Sequence, residues 1–164
     1  MVVKSEAILE FELPSAAATA RLGEALAGLV DVGDLILLRG DLGAGKTTLA
    51  RALVQAHLAR HGLAEDVPSP TFTLVQTYES PSLLLTHVDL YRIEDASELR
   101  ELGLAEALDE GVVLVEWPER AEEEMRRLSP SRLDISLFLV PEGMHRARIE
   151  ATGSWTARLE GLTI

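Results

Sequence analysis

Leu35-Ile36-Leu37-Leu38 is an unbroken apolar run of strand length, and Val112-Val113-Leu114-Val115 is another. Such runs are expected of strands covered on both faces, as in a parallel sheet between layers of helix. Other segments alternate instead. Leu133, Ile135, Leu137 and Leu139 recur at every second position and predict a half-buried strand, with a turn at Glu142-Gly143 and a returning strand near Ala147 to Ala151. Phe11-Glu12-Leu13 reads as the end of an opening strand. Thr71 to Tyr78 is rich in β-branched and aromatic residues and is expected to be extended. The Pro81-Ser82 turn then leads to Leu83 to Val88 as its hairpin partner or sheet neighbour.

Between these strands the period changes to that of a helix. Ser15 is placed to cap a helix whose apolar stripe is Leu22, Leu26 and Leu29, with Gly33 closing it. Leu49, Leu53, Ala56 and Leu58 mark a helix over residues 46–60, ended by Gly62. Asp95 with Glu98 resembles a capping box and predicts a helix through about Leu102. Residues 119–128 predict a solvated helix with i,i+4 pairs Glu122/Arg126 and Glu123/Arg127. Val67-Pro68-Ser69-Pro70, with two prolines, is a stiff extended connection. In the tail, Trp155 and Leu159 are expected to cover the core.

The junction of the first apolar run and its helix carries the chemistry. Residues 40–47 read Gly-Asp-Leu-Gly-Ala-Gly-Lys-Thr, matching G-x-x-x-x-G-K-[ST]. Gly40, Gly43 and Gly45 let the chain wrap so that successive N–H groups point at phosphate oxygens. Asp41, Leu42, Gly43, Ala44, Gly45, Lys46, Thr47 and Thr48 are the expected nucleotide contacts, on a helix N-terminus that favours anions. Lys46 is suited to neutralise the β/γ-phosphates and Thr47 to hold Mg²⁺. Lys4 and Lys46 are the only lysines among fifteen basic residues, so a chain that otherwise uses arginine has a compact ammonium here. The expected fold is α/β: a single-domain P-loop NTPase, residues 1–164, with a mainly parallel central sheet flanked by helices and antiparallel strands near one end.

Composition narrows the setting. At 164 residues and 47% hydrophobic, the chain suits one packed domain. Without cysteine it has no disulfide, thiolate metal site or thiol nucleophile, which fits a reducing compartment. Met1–Glu6 shows no secretory pattern and no apolar run approaches membrane-spanning length, so a cytoplasmic location is expected. The net charge of −12 disfavours broad contact with nucleic acid. Arg126, Arg127, Arg132, Arg146 and Arg148 could still form a local basic patch, but RNA, if it is the target, is better held by a partner protein.

Hydrolysis needs acids to complete a metal shell and orient water. Glu116 directly follows the second apolar run, where a Walker-B-type acid stands at a strand tip. In His87-Val88-Asp89-Leu90-Tyr91-Arg92, alternation places His87, Asp89 and Tyr91 on one strand face. Asp89 is then a second magnesium-side acid or a water-positioning base, and His87 with Asp89 is too small a set for a transition metal. Trp117 reads equally as a lid or a core edge. Arg92 reads equally as a γ-phosphate contact or a surface ion pair. Thr71, after the stiff Ser69-Pro70 segment, could reach the γ-phosphate or the metal. No Asn-Lys-x-Asp or Thr-Lys-x-Asp guanine-reading sequence occurs, which favours ATP over GTP.

Four blocks in this order, residues 40–48, Ser69-Pro70-Thr71-Phe72-Thr73-Leu74-Val75, His87 to Arg92 and Glu116-Trp117, resemble the TsaE-type (YjeE-type) ATPases of bacterial tRNA threonylcarbamoyladenosine biosynthesis. The resemblance implies a cytoplasmic ATPase that binds ATP and Mg²⁺, with Thr47 and Glu116 as magnesium positions and Asp89 as an acid needed for activity. It also implies association with the TsaB and TsaD proteins, which modify the adenosine beside the tRNA anticodon, so that tRNA is met only indirectly. Ser15-Ala16-Ala17 departs from it, being bland where relatives carry a polar residue near the nucleotide. Gly143 is suggested beside the base. Two rival functions stand next to it: a P-loop kinase for a small molecule, and a nucleotide-gated adaptor in which hydrolysis is not required.

Overall fold

The structure, a computed structural model, describes residues 7–164; the reading of Met1–Glu6 falls outside them. Its centre is a seven-stranded sheet in the order β1-β7-β6-β2-β5-β4-β3. The strands are β1 (Ala7–Leu13), β2 (Leu35–Arg39), β3 (Val75–Glu79), β4 (Leu84–Asp89), β5 (Gly111–Glu116), β6 (Arg132–Leu139) and β7 (His145–Ala151). The pairs β6–β2, β2–β5 and β5–β4 are parallel, and the two strands built on the apolar runs, β2 and β5, are the inner pair of these. Antiparallel strands lie at both edges, not near one end as the sequence suggested. The reason is connection length. The turns at Pro81-Ser82 and Pro141–Gly143 are too short for a crossover, so β4 must return along β3 and β7 along β6.

The period-2 pattern of β2 sorts the two cores. Ile36 and Leu38 face one side, with α1 (Ala16–Ala27), α2 (Lys46–Ala59) and the fully buried Trp155 of α5 (Trp155–Arg158). Leu35 and Leu37 face the other, with Leu104 and Leu108 of α3 (Leu104–Glu110) and Met125 of α4 (Glu122–Leu128). The two helices of the first layer approach closely at Gly23, where a Cβ would stand 2.5 Å from the Leu49 carbonyl oxygen. Arg39 ties α4 down: its guanidinium gives Glu122 two hydrogen bonds, at 2.7 and 2.8 Å, and Asp134 one at 3.0 Å.

Several boundaries differ from the pattern reading. The first helix stops at Ala27, where the Gly28 N–H turns back onto the Ala25 carbonyl and the Leu29 N–H onto that of Leu26; Gly33 instead shapes the turn into β2. Thr71–Leu74 is a turn, not strand, because Leu74 has φ 67° and its N–H closes onto Pro70 O at 2.8 Å. The segment begun by Asp95 is a 3-10 turn, Ala96–Leu102, cut off by Gly103 (φ 66°), after which the unforeseen α3 begins. Residues 119–128 divide into a 3-10 turn, Pro118–Ala121, and α4. Among the described residues no helix is long and apolar enough to cross a membrane.

Candidate functional site

Because β2, β4 and β5 are parallel, their C-terminal tips lie on one edge of the sheet, and the register aligns them: Glu116 is opposite both Leu38 of β2 and Asp89 of β4. Such an edge is where open α/β sheets receive ligands. Past β2 the chain enters the glycine loop, in which Gly40, Gly43 and Gly45 have φ of 146°, 81° and 107°. Those angles suit glycine and bend the loop around the N-terminus of α2. Residues Leu42, Gly43, Gly45, Lys46, Thr47, Thr48, Ser69, Thr71, Asp89, Tyr91, Glu116 and Trp117 line a cavity of about 280 Å³ at this edge.

Thr47, on the first turn of α2, donates its hydroxyl proton to Glu116 Oε1 at 2.8 Å. Its lone pairs are therefore directed away from the carboxylate. Glu116 is only 2% exposed, and its Oε2 lies 2.7 Å from Nε2 of the fully buried His87. Asp89 is 3% exposed. Its Oδ2 accepts from Thr71 (3.1 Å) and Ser69 (3.3 Å), and its Oδ1 from the Tyr91 N–H (2.9 Å). The Ser69–Leu74 turn is thus latched to the tip of β4, with a backbone bond from the Asp89 N–H to Leu74 O at 2.9 Å beside it.

Lys46 is buried and folds back on the loop, donating to the carbonyls of Gly40 and Asp41, with the Trp117 ring centroid 3.9 Å from Nζ. Burial pushes this ammonium below the usual lysine value, against the pull of Glu116, Glu119, Asp89 and Asp41. Trp117 itself has φ 60°, a strained conformation for a bulky residue. That turn lays the indole over Lys46 and 4.9 Å from the Tyr91 ring, while it also packs on the core that Leu35 and Leu37 face. The indole therefore both lines the first cavity and packs on the core.

A second cavity of about 260 Å³ adjoins the first and shares Gly43, Gly45 and Thr48 with it. Leu13, Ser15, Ala16, Thr19, Gly143 and His145 complete its wall. The bland start of α1 is explained here: the Ser15 hydroxyl is engaged in capping, accepting from the Ala18 N–H at 3.1 Å. His145 Nδ1 is 3.1 Å from the Ala44 carbonyl oxygen, fastening the loop to β7. Ala44 is buried and Asp41 exposed, and neither lines either cavity.

Arg92 does not line either cavity; its guanidinium lies 5.0 Å from the Phe72 ring centroid. Of the arginines considered for a basic patch, Arg126, Arg132 and Arg148 line one cavity together, but Glu122, Asp134 and Glu150 line it too, and Arg126 pairs with Glu122, Arg127 with Glu123, and Arg148 with Glu10 and Glu150. His145 and the contact of His87 with Glu116 were missed, because each spans residues far apart in sequence. Only the strand register brings them together.

The donor set at the mouth of the first cavity is all oxygen: one hydroxyl and two carboxylates. Such a set fits a hard cation such as Mg²⁺. Positive-φ glycines and the start of a 14-residue helix fit a phosphate chain. Comparisons with known proteins identify the family. A family model described as threonylcarbamoyl adenosine biosynthesis protein TsaE matches residues 13–146. The tRNA threonylcarbamoyladenosine biosynthesis protein TsaE of Rickettsia felis is 34% identical over 88% of this chain and 81% of its own length. That of Aquifex aeolicus is 37% identical over 88% and 97%. The crystal structure of YdiB from Bacillus subtilis superposes with a TM-score of 0.76 at 28% identity, covering 99% of this chain and 97% of the other. Loop, strand tips and overall likeness agree, and the chain belongs to the TsaE family of tRNA threonylcarbamoyladenosine biosynthesis proteins.

Proposed function

We propose that this protein binds ATP with Mg²⁺ and hydrolyses it to drive or reset the TsaB/TsaD assembly that modifies tRNA. The observation that carries the reading is the convergence of Lys46, Thr47, Asp89 and Glu116 on one cavity at the strand tips. The β- and γ-phosphates would occupy the glycine loop, and the base the adjoining cavity beside Gly143 and His145.

Thr47 and Glu116 would hold the magnesium ion, which supplies charge neutralisation on the phosphates. Lys46 exchanges its two loop carbonyls for phosphate oxygens, a swap that its flexible stem permits. Asp89, held on both oxygens by the Ser69–Leu74 turn and the Tyr91 N–H, faces the same cavity and can orient the attacking water. Thr71 then reports on the γ-phosphate, because any group that draws its hydroxyl away also loosens Asp89.

The kinase alternative asks residues 119–128 to act as an arginine-bearing lid. They are instead anchored through Ala121 and Met125 on the core that Leu35 and Leu37 face, with Glu122 bound to Arg39. The test is phosphate release by the full chain together with TsaB, TsaD and tRNA, with threonylcarbamoyladenosine counted by mass spectrometry. Free phosphate and modified tRNA that both fall in Glu116→Ala support the ATPase. Full modification by a variant that binds ATP but cannot hydrolyse it overturns the requirement for hydrolysis.

A further inference from the structure

We propose that His87 is a positioning residue for Glu116, fixing that carboxylate so that it serves Thr47 and the metal instead of Lys46. The inference rests on the magnesium–nucleotide reading of the site and adds a residue to it. His87 is completely buried on β4, opposite Leu114 of β5, and its Nε2 lies 2.7 Å from Glu116 Oε2. The other oxygen, Oε1, already accepts the Thr47 hydroxyl. With its proton on Nε2, His87 donates to this carboxylate oxygen as Thr47 does to the other. Nδ1 is buried with no hydrogen-bond partner among the described residues. A bare lone pair there is tolerable and an orphaned N–H is not, so the surroundings select one tautomer.

The terminal torsion of glutamate is broad and roughly two-fold, so one hydrogen bond would leave the carboxylate plane free to turn. Two donors on opposite oxygens fix it. The nearby ammonium of Lys46 feels the Glu116 charge. A Glu116 without its histidine would turn toward that cation and hold it away from the phosphates. Outer partners of metal-site ligands are generally worth about 10–100-fold in metal affinity or activity.

The experiment is calorimetric titration of full-length wild type, His87→Leu, His87→Gln and His87→Asn with ATP, in Mg²⁺ and in EDTA. Glutamine places an amide donor where Nε2 stands; asparagine places one near Nδ1, where there is no acceptor. The Leu and Asn variants should lose about 10-fold or more of the magnesium-dependent gain in ATP affinity, with binding in EDTA little changed, and Gln should recover most of it. A wild-type magnesium gain in Leu or Asn, or no advantage of Gln over Asn, overturns the proposal. If the Leu variant does not fold, the comparison of Gln with Asn decides. A wild-type protein that binds ATP equally well in Mg²⁺ and EDTA overturns instead the magnesium reading on which the proposal rests.

Discussion

The Thr47 hydroxyl donates to Glu116 Oε1 at 2.8 Å although 69 positions separate the two residues. One stands on the first turn of α2 and the other at the tip of β5, so the bond joins the phosphate loop to the neighbouring strand. Glu116→Gln keeps the shape and removes the charge. This variant should still bind ATP in EDTA while its phosphate release falls by about 10² or more, since the charge stabilisation a held metal supplies is worth several kcal/mol. Hydrolysis at the wild-type rate would show that Glu116 takes no part.

The latch on Asp89 makes a separate claim. Thr71→Val preserves volume but deletes the 3.1 Å hydrogen bond to Asp89 Oδ2, leaving Ser69 at 3.3 Å as the remaining hydroxyl on that oxygen. Turnover should drop while the KM for ATP stays nearly constant, because Asp89 acts on water more than on nucleotide. A rise in KM with unchanged turnover would make Thr71 a binding residue only.

Far from the nucleotide edge, His57 near the end of α2 meets the β3–β4 turn, its Nε2 2.8 Å from Ser80 Oγ. Burial first, and then the charges of His61 and Arg60, hold its imidazole below the ordinary histidine value. The unfolded chain therefore binds this proton more readily than the native one. Stability from this residue is complete above about pH 6.5 and is lost as pH falls from there toward the lowered native value. Urea denaturation midpoints at about pH 7.5 and 5.5 should show a smaller acid loss in His57→Gln than in the wild type, and equal losses would contradict the assignment.

Gly111 begins β5 against β4. A Cβ there would stand 1.7 Å from the Leu84 carbonyl oxygen, which is backbone and cannot step aside. Gly111→Ala should cost about 3 kcal/mol or more, at the upper end for overpacking, and should pull Glu116 out of register with Asp89. A melting temperature equal to that of the wild type would show that the two strands are less closely fitted.

Much of this was legible before the structure. Leu35 to Leu38 and Val112 to Val115 announced the inner strands because burial on both faces leaves no polar positions. The loop announced itself because phosphate chemistry demands glycines and a lysine at set spacing. What misled was β-propensity acting alone. Thr71, Phe72 and Thr73 are good strand residues, but Pro70 accepts the Leu74 N–H and turns them into a loop. Leu104 and Leu108 make up α3 in a helix of only seven residues, too short for its period to stand out. His87 with Glu116 and His145 with Ala44 are tertiary facts set by strand register, and no local pattern encodes them.

Equilibrium dialysis of ATP against the full-length protein in Mg²⁺ addresses the account most directly. Saturable uptake of one ATP per chain, weakened by EDTA and removed by Lys46→Ala, is the predicted result. No saturable uptake, with or without TsaB and TsaD present, would contradict it.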